Sequence, residues 1–191
     1  MGQRVGILAI QGDVDAHARV LRALGAEVVA VRHAVDLEGL DALVLPGGES
    51  TTIAKGLERL SLYQPLEAFA ASGKRVLGTC AGAVLLAREV ENHPVRCLGL
   101  LDVVALRNAY GTQVDSFEAP AEETAPGFEG LSCVFIRAPR LRDPGESVEV
   151  LARVDGWPVA IRQRNVTSTT FHPELTLDTR VHAWLLGEGP A

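Results

Sequence analysis

The sequence predicts an α/β fold in three layers: an open, mostly parallel sheet with helices on both faces and an antiparallel edge. Strand-like and helix-like segments alternate through the first half of the chain, the order expected of a parallel sheet with crossover helices. Residues 4–10 are a continuous apolar run, as expected of a strand buried on both faces. The second half holds short strand-like runs with few helical signals between them. Without an internal repeat or a linker, residues 1–191 are expected to form a single domain.

The first half divides into four strand–helix pairs, and single residues mark several of their ends. Asp13 is of a type that caps helices, and Gly25 is suited to close the first helix. Pro65 suits the first turn of a helix, where its missing N–H costs no hydrogen bond. We predict strands at 4–10, 27–32, 42–45 and 75–79, and helices at 13–24, from Ser50 onward, at 62–72 and at 81–89.

The second half is predicted to add mainly strands. Residues 111–130 are rich in Glu, Ala and Pro and are expected to form a loop. Several of the strands should pair as antiparallel hairpins at one edge of the sheet. We predict strands at 98–106, 133–136, 148–154, 159–162 and 166–171, and a last helix at 177–186.

Composition and charge argue against several classes of protein. With 47% hydrophobic and 22% charged residues, the chain is typical of an ordinary globular protein. No apolar run approaches the roughly 18 residues of a membrane span, and the early strand at 4–10 leaves no room for a signal peptide. A net charge of −6 without a basic cluster argues against nucleic-acid binding. Three cysteines, an odd number, indicate free thiols in a reducing cytoplasm.

The strongest chemical signal is Gly-Thr-Cys-Ala-Gly at 78–82, between an apolar strand and an Ala- and Leu-rich helix. This is the context of a nucleophile elbow, in which glycines permit a sharp turn that exposes the central side chain. Cys80 would sit at a helix N-terminus, where the dipole favours thiolate over thiol. The alternative is a turn that carries a small buried thiol. Cys97 and Cys133 lie among apolar residues and are expected to be inert.

The second signal is Phe-His-Pro-Glu at 171–174, after a β-branched stretch. The residue before a proline favours an extended backbone, in which side chains two residues apart lie on the same side. Glu174 can then reach a ring nitrogen of His172, set its tautomer and stabilise the imidazolium. A solvated turn is the alternative for this motif alone. Beside an elbow cysteine, a triad of Cys80, His172 and Glu174 is favoured.

The third signal is Pro-Gly-Gly-Glu-Ser-Thr-Thr at 46–52, after the third strand. Two consecutive glycines before a helix can turn backbone N–H groups towards a developing negative charge. No Gly-Lys-Ser/Thr follows, which argues against a nucleotide loop. A double glycine is often only a turn, but its position beside the elbow predicts an oxyanion hole.

Together these segments resemble the class I (triad) glutamine amidotransferases and, more narrowly, the glutaminase subunits of pyridoxal 5'-phosphate synthases. The resemblance covers residues 5 to about 186 and includes matching segments at 8–12, 107–108, 113–117 and 134–139. The departures from the family's usual residues are Tyr110, Arg164 and the polar run at 167–170.

The resemblance implies roles for individual residues. Cys80 would be the nucleophile and His172 with Glu174 the rest of the triad, while Gly48 and Ala81 would donate the oxyanion-hole N–H groups. An arginine suits the substrate carboxylate. The positions expected to contact L-glutamine are Gly47, Gly48, Glu49, Arg107, Ile136 and Arg137. No metal or other cofactor is expected, because ligand spacing is absent around the remaining histidines, which are interpreted as ordinary surface or helix residues: His17, His33, His93 and His182.

The resemblance also implies an activity and a partner. Glutamine would be hydrolysed to glutamate through a cysteine thioester, and the ammonia would pass to a barrel-shaped synthase subunit that makes pyridoxal 5'-phosphate (vitamin B6). In that family the glutaminase becomes properly active only when docked. Three other hypotheses stay open. They are the glutaminase of another pathway, such as histidine biosynthesis or a γ-glutamyl hydrolase, a cysteine peptidase or chaperone-like relative, and an interaction module with a dead site. The segments at 46–52 and 134–139 argue against the first, and Ala81, where such relatives often carry histidine, against the second.

Overall fold

An eight-stranded sheet is the centre of the computed structural model, which describes residues 2–91, 93–107 and 116–188. The first half contains β1 (Arg4–Leu8), α1 (Val14–Ala23), β2 (Glu27–Val31), β3 (Ala42–Leu45), α2 (Ser50–Arg59), α3 (Tyr63–Ala71), β4 (Arg75–Thr79) and α4 (Ala81–Leu86). The second half contains β5 (Ala87–Val90), β6 (Leu101–Leu106), β7 (Ser116–Pro120), β8 (Glu123–Thr124), β9 (Ser132–Ile136), β10 (Arg140–Arg142), β11 (Glu149–Val154), β12 (Trp157–Gln163), β13 (Val166–Thr169) and α5 (Arg180–Leu185). None of the helices within these ranges is both long and apolar enough to cross a membrane.

The large sheet is parallel at one side and antiparallel at the other. Its strand order is β2-β1-β3-β4-β13-β12-β11-β8. The first five strands pair in parallel, and the last three are added by antiparallel pairing. The predicted fold class is therefore confirmed. Because β3, β4 and β13 run the same way, their carboxyl ends meet at one edge of the sheet, and the three predicted site segments follow those ends.

Alternate residues of the central strands build two separate cores. In β3, Leu43 and Leu45 face one core, and Ala42 and Val44 face the other. The first core is completed by α2, α3, α4 and a small sheet of β10, β6 and β5. The second is completed by α1, α5 and the two-stranded sheet of β7 and β9. Helices therefore cover both faces of the large sheet, which gives the three predicted layers.

Two predicted helices extend three or more residues beyond the observed ones. The helix predicted at 81–89 ends at Leu86, because residues 87–90 instead pair in parallel with β6 as β5. The helix predicted from 177 begins at Arg180. The carboxylate of Asp178 accepts hydrogen bonds from the backbone N–H and the guanidinium of Arg180, which holds the preceding residues in a turn. Local patterns of apolar residues do not register such competing contacts.

The loop predicted at 111–130 is wrong for the described part of that segment. Residues 116–120 form β7, which pairs antiparallel with β9, and residues 123–124 form β8 at the edge of the large sheet. Phe117 stacks on Phe135 with ring centroids 4.6 Å apart, so a distant aromatic residue stabilises a strand that its own composition does not predict. Residues 108–115 lie outside the described residues, together with the matches at Asn108 and 113–115 and the departure at Tyr110.

Candidate active site

Cys80 occupies a sharp turn between β4 and α4. Its backbone has φ 49° and ψ −103°, a conformation that residues with a side chain rarely adopt. Such conformations cost about 1–3 kcal/mol and occur mainly at functional sites. The N–H of Cys80 donates to the carbonyl of Thr169 over 2.9 Å, so β13 supports the turn. The predicted strand–turn–helix context is present, with the strain placed on the cysteine itself.

The two glycines of the elbow allow close packing, whereas the sequence suggested that they relax the turn. Neither has a positive φ. A Cβ at Gly82 would collide with the carbonyl oxygen of Leu45 in β3, and a Cβ at Gly78 would lie 2.9 Å from the backbone carbonyl of Gly82. Because both positions lack a Cβ, α4 can approach the sheet closely enough to begin directly after Cys80.

His172 and Glu174 form a buried pair beside the cysteine. The Nδ1 of His172 is 2.7 Å from Oε1 of Glu174, and the backbone N–H of His172 donates to the carbonyl of Val134 over 2.8 Å. The segment is not extended as predicted, because Pro173 begins a 3₁₀ turn that ends at Leu175. The turn folds the carboxylate back onto the imidazole, so the two side chains meet through a tight turn.

Charge in this pair favours the imidazolium. Burial alone would lower the pKa of His172, but hydrogen bonds with the side chains of Cys80 and Glu174 outweigh burial and raise the pKa to about 10. Since Nδ1 faces Glu174, the other ring nitrogen of His172 is the one available to exchange a proton at the cavity, which Cys80 also lines.

Asp13 adds a second carboxylate that the sequence did not assign to the site. It precedes α1 as predicted, but its side chain does not cap the helix. Its Oδ2 lies 3.5 Å from Nδ1 of His172, and the side chain is 47% exposed. Ligand atoms of Asp13, His172 and Glu174 lie within 4.8 Å of one another, a spacing that could hold a cation. The short hydrogen bond between His172 and Glu174 already accounts for this spacing.

The glycine loop after β3 is held by two side chains. The N–H of Gly47 donates to the hydroxyl oxygen of Thr79 over 3.0 Å, and the N–H of Glu49 donates to Oε1 of Gln11 over 2.7 Å. Gly48 lies between these two anchored residues. Ala81 is the first residue of α4, where a backbone N–H has no partner within the helix. The predicted oxyanion-hole residues, Gly48 and Ala81, therefore come from two different segments that meet beside Cys80.

These residues surround one cavity of about 340 Å³. That volume is in the range of small-molecule sites. The predicted residues that line it are Cys80, His172, Gly48, Ala81, Glu49, Arg107, Ile136 and Arg137. Gly47 does not line it but lies behind His172, where a Cβ would come within 2.5 Å of the imidazole Cε1. Glu174 also lies behind the imidazole, buried from the cavity.

Two oppositely charged residues form the far wall of the cavity. The guanidinium of Arg107 donates to Oε1 of Glu49 over 3.0 Å and to the hydroxyl of Thr51 over 3.1 Å. Its NH1 is also 2.6 Å from Nε2 of His93. Such a pair offers a cation and an anion side by side, which matches the carboxylate and ammonium of an α-amino acid.

The other two cysteines are poorly suited to nucleophilic chemistry. Burial raises the pKa of Cys97 to about 11 and that of Cys133 to about 12, so both remain thiols at neutral pH. All three cysteines are free.

Two residues near the site were not identified from their sequence positions. Asp13 lies in the turn after β1, beside Gln11 of the matching segment 8–12, and His17 is fully buried in α1. For His17 a signal was present, since it is three residues after Val14 and four before Leu21, on the apolar face of its helix. Its interpretation as an ordinary helix residue is incomplete, because its ring contacts residues of the candidate site.

Comparisons with known proteins agree on one family. A sequence profile of the SNO glutamine amidotransferase family matches residues 7–189. A Frankia casuarinae protein named pyridoxal 5'-phosphate synthase subunit PdxT is 54% identical over 185 residues, covering 95% of this chain and 92% of the relative. A Listeria monocytogenes protein of the same name is 50% identical over 181 residues, covering 93% and 94%. A crystal structure of a glutamine amidotransferase matches with a TM-score of 0.91 and 45% identity, covering 96% of this chain and 97% of that one.

Proposed function

Because the chain belongs to the SNO glutamine amidotransferase family, we propose that it is the glutaminase subunit of a pyridoxal 5'-phosphate synthase. It hydrolyses L-glutamine to L-glutamate and ammonia. Relatives with half or more of its residues in common are named as subunits of that synthase. One observation carries the assignment of the site: His172, which pairs with Glu174 at 2.7 Å, lines the same cavity as Cys80.

The first half of the reaction makes a thioester. The Cys80 thiolate attacks the side-chain amide carbon of glutamine, and the electron pair of the C=O bond moves to oxygen. Backbone N–H groups of Gly48 and Ala81 stabilise that oxyanion. When the intermediate collapses, the C–N bond breaks and the imidazolium of His172 gives its proton to the departing nitrogen, which leaves as ammonia. Glu174 orients His172 and stabilises its charge throughout.

The second half consumes water. The neutral imidazole of His172 takes a proton from a water molecule as the water oxygen attacks the thioester carbon. The tetrahedral intermediate collapses with loss of the sulfur, which releases glutamate and restores the Cys80 thiolate beside a protonated His172. Atoms balance as glutamine plus water giving glutamate plus ammonia, so the cycle needs no oxidant, reductant or metal.

Substrate recognition falls to the charged wall of the cavity. Arg107 suits the α-carboxylate of glutamine and Glu49 its α-ammonium group, because the two side chains already lie 3.0 Å apart. Ile136 and Arg137 also line the cavity, and the carbonyl oxygen of Ile136 is 3.9 Å from the Cys80 sulfur. The described residues then act as one glutaminase domain, in which the strands of the large sheet and its flanking layers all contribute to a single site.

A partner follows from the fate of the product. Free ammonia is protonated in neutral water and diffuses away, so its release is useful only beside an enzyme that consumes it. The relatives' name identifies that enzyme as pyridoxal 5'-phosphate synthase, and we infer that its synthase subunit is a barrel protein which receives ammonia from this chain. Docking would also increase the rate of glutamine hydrolysis.

Glutamate release tests this function directly. The purified chain is incubated with glutamine, with and without the synthase subunit, and glutamate is measured for the native protein, for Cys80→Ala and for Cys97→Ala as a matched control. We expect the native protein to turn over faster with the partner, Cys80→Ala to lose activity by several orders of magnitude, and Cys97→Ala to stay close to native. Equal activity in Cys80→Ala and the native protein would reject Cys80 as the nucleophile. Equal rates with and without the partner would reject activation by docking.

A further inference from the structure

His17 is a buried histidine that the proposed reaction does not use, although it lies directly behind the site. Its side chain has no exposed surface. Nδ1 of His17 is 2.9 Å from Nε2 of His182 in α5. Its Nε2 is 3.1 Å from the hydroxyl oxygen of Thr79 and 3.4 Å from Oε2 of Glu174. One edge of the ring therefore faces another buried histidine, and the other edge faces the site.

The neighbours on the site edge belong to two different parts of the machinery. Thr79 immediately precedes Cys80, and its hydroxyl oxygen also accepts the N–H of Gly47 in the oxyanion loop. Glu174 uses Oε1 for His172, while its buried Oε2 makes no hydrogen bond of ordinary geometry within the described ranges. His17 is thus in contact with the acid of the triad and with the hydroxyl that anchors the loop.

The carboxylate determines which nitrogen of His17 carries the hydrogen. A buried carboxylate oxygen without a donor is strongly destabilising. Nε2 of His17 lies 3.4 Å from that oxygen, and only as N–H does it direct positive charge towards the carboxylate. Its Nδ1 is then an acceptor, and the N–H of His182 Nε2 donates to it. The opposite tautomer would direct a nitrogen lone pair at Glu174.

Both buried histidines are neutral at physiological pH. Burial, together with the nearby imidazoles of His182 and His172, holds the pKa of His17 well below its usual range. Burial lowers the pKa of His182 to about 4. A neutral donor suits this position, because an imidazolium behind Glu174 would compete with His172 for the negative charge.

We propose that His17 is a positioning residue of the glutaminase site: its Nε2–H lies 3.1 Å from the Thr79 hydroxyl that anchors the oxyanion loop and faces Oε2 of Glu174 at 3.4 Å, so it supports the loop and the carboxylate together. It does not touch the substrate. The inference rests on the proposed function, since it assigns a support to that same triad. Removal of a group that orients a reacting side chain commonly lowers the reaction rate strongly, because even a small displacement of the reacting atoms is costly.

The test compares His17→Leu, which fills much of the volume without a donor, with His17→Gln, whose side-chain amide can place an N–H near the position of Nε2. Both are assayed as the complex with the synthase subunit. We expect His17→Leu to lower kcat about ten- to a hundredfold with little change in KM, and His17→Gln to recover most of that loss.

The pH profile of kcat/KM supplies a readout that a purely structural role would not move. The titratable groups facing His172 are Cys80, Glu174, Asp13 and, from α1, His17. When Glu174 is no longer held, its hydrogen bond to His172 weakens, so the alkaline limb should move to lower pH in His17→Leu and return towards native in His17→Gln. The proposal would be overturned if His17→Leu kept the native value of kcat and the native alkaline limb of the pH profile. It would also be overturned by a kcat in His17→Leu that equals the native value once it is divided by the folded fraction, measured by circular dichroism.

A measurement on the native chain covers the case in which His17→Leu does not fold. Nitrogen-15 NMR of the histidine side chains should show His17 as the neutral Nε2–H tautomer at neutral pH, whereas the Nδ1–H tautomer or a charged ring would overturn the proposal. A different result would reject the proposed function itself. If the native complex releases no glutamate above the Cys80→Ala background, the glutaminase assignment is wrong whatever the tautomer of His17.

Discussion

At the scale of single residues, the backbone of Cys80 shows how reactivity and strain are combined. Its φ of 49° directs the side chain into the cavity, and the backbone hydrogen bond to Thr169 keeps it there. The surroundings must offset a strain of about 1–3 kcal/mol. A residue selected for stability alone would avoid this conformation, so the strain itself is an argument for function.

Replacing Cys80 should reveal this strain. Alanine is normally more favourable than glycine inside a fold, because it loses less backbone entropy. At position 80 we expect the reverse, with Cys80→Gly more stable than Cys80→Ala by about 1 kcal/mol, since only glycine relaxes at a positive φ. Urea unfolding of both variants measures the difference. A Cys80→Ala variant that is clearly the more stable one would show that the turn is not strained.

The raised pKa of His172 predicts an alkaline limit of activity. With the pKa at about 10, kcat/KM of the complex should hold through mildly alkaline pH and fall as the imidazolium deprotonates. In Glu174→Gln the acceptor charge is lost, so the pKa of His172 falls and the limb moves to lower pH. Asp13→Asn serves as the control with a smaller shift, because Asp13 is half-exposed and its charge is screened. If the alkaline limb of the kcat/KM profile lay at the same pH in the native protein and in Glu174→Gln, this account would be contradicted.

At the scale of secondary structure, the start of α2 couples helix capping to the substrate wall. The carboxylate of Glu49 accepts hydrogen bonds from the N–H groups of Thr51 and Thr52, which have no partner within the helix. The same carboxylate binds Arg107. A residue predicted only to contact glutamine therefore also determines where α2 begins.

The capping role of Glu49 predicts a pH-dependent loss of stability in Glu49→Gln. Burial alone would raise the pKa of Glu49, but hydrogen bonds from Thr52 and Thr51 outweigh it and lower the pKa from 4.5 to about 2. A lowered folded-state pKa stabilises the fold above about 4.5 and loses that contribution as pH falls towards 2. The melting temperature of Glu49→Gln should therefore lie below native at neutral pH, and the gap should close between pH 4.5 and 2. A gap that does not depend on pH would assign the effect to lost packing.

Close packing of α4 on β3 predicts different outcomes for two helical glycines. Alanine is usually better than glycine in a helix by about 1 kcal/mol. In Gly82→Ala the new Cβ would collide with the carbonyl oxygen of Leu45, which is backbone, whereas in Gly56→Ala its three nearest atoms would belong to the Ile10 side chain, which can shift away from the contact more readily than a backbone carbonyl can. We expect Gly82→Ala to lose stability and glutaminase activity, and Gly56→Ala to stay much closer to native. Thermal unfolding and glutamate release are measured for both variants, and equal losses in the two would contradict the prediction.

At the scale of the whole molecule, one edge of the mixed sheet gathers the site. The loop after β3, the elbow after β4 and the His-Pro-Glu turn after β13 meet there because the three strands are parallel neighbours. The antiparallel strands β12, β11 and β8 widen the sheet sideways, beyond β13. Under the proposed function, ammonia is released at this edge, where we expect the partner to receive it.

The source of ammonia gives a test at this scale. In the complex with the synthase subunit, native chain and glutamine should support formation of pyridoxal 5'-phosphate, and Cys80→Ala with glutamine should not. Ammonium salt at mildly alkaline pH should restore formation with Cys80→Ala, because free ammonia then replaces the product of the missing reaction. Formation is followed by the absorbance of the product. Failure of ammonium to restore it would mean that this chain contributes more than ammonia.

The sequence by itself determined the elements of the first half and the residues at the three turns of the site. Strand and helix follow from apolar patterns over a few neighbouring residues, and Gly-Thr-Cys-Ala-Gly and Phe-His-Pro-Glu are short segments whose chemistry is local. The strands at 42–45 and 75–79 are confirmed to the residue, because each is a short run with an apolar centre between clear turn signals.

Tertiary structure alone decided which distant side chains support the site. His17 is 62 residues from Thr79 and 165 from His182, so their hydrogen bonds depend on how α1 and α5 pack on one face of the sheet. The same holds for β7, which forms a strand because it pairs antiparallel with β9 and Phe117 stacks on Phe135 of that strand. Sequence patterns record the preferences of neighbouring residues, whereas strand order and packing determine which remote groups satisfy a buried carboxylate or a strand edge.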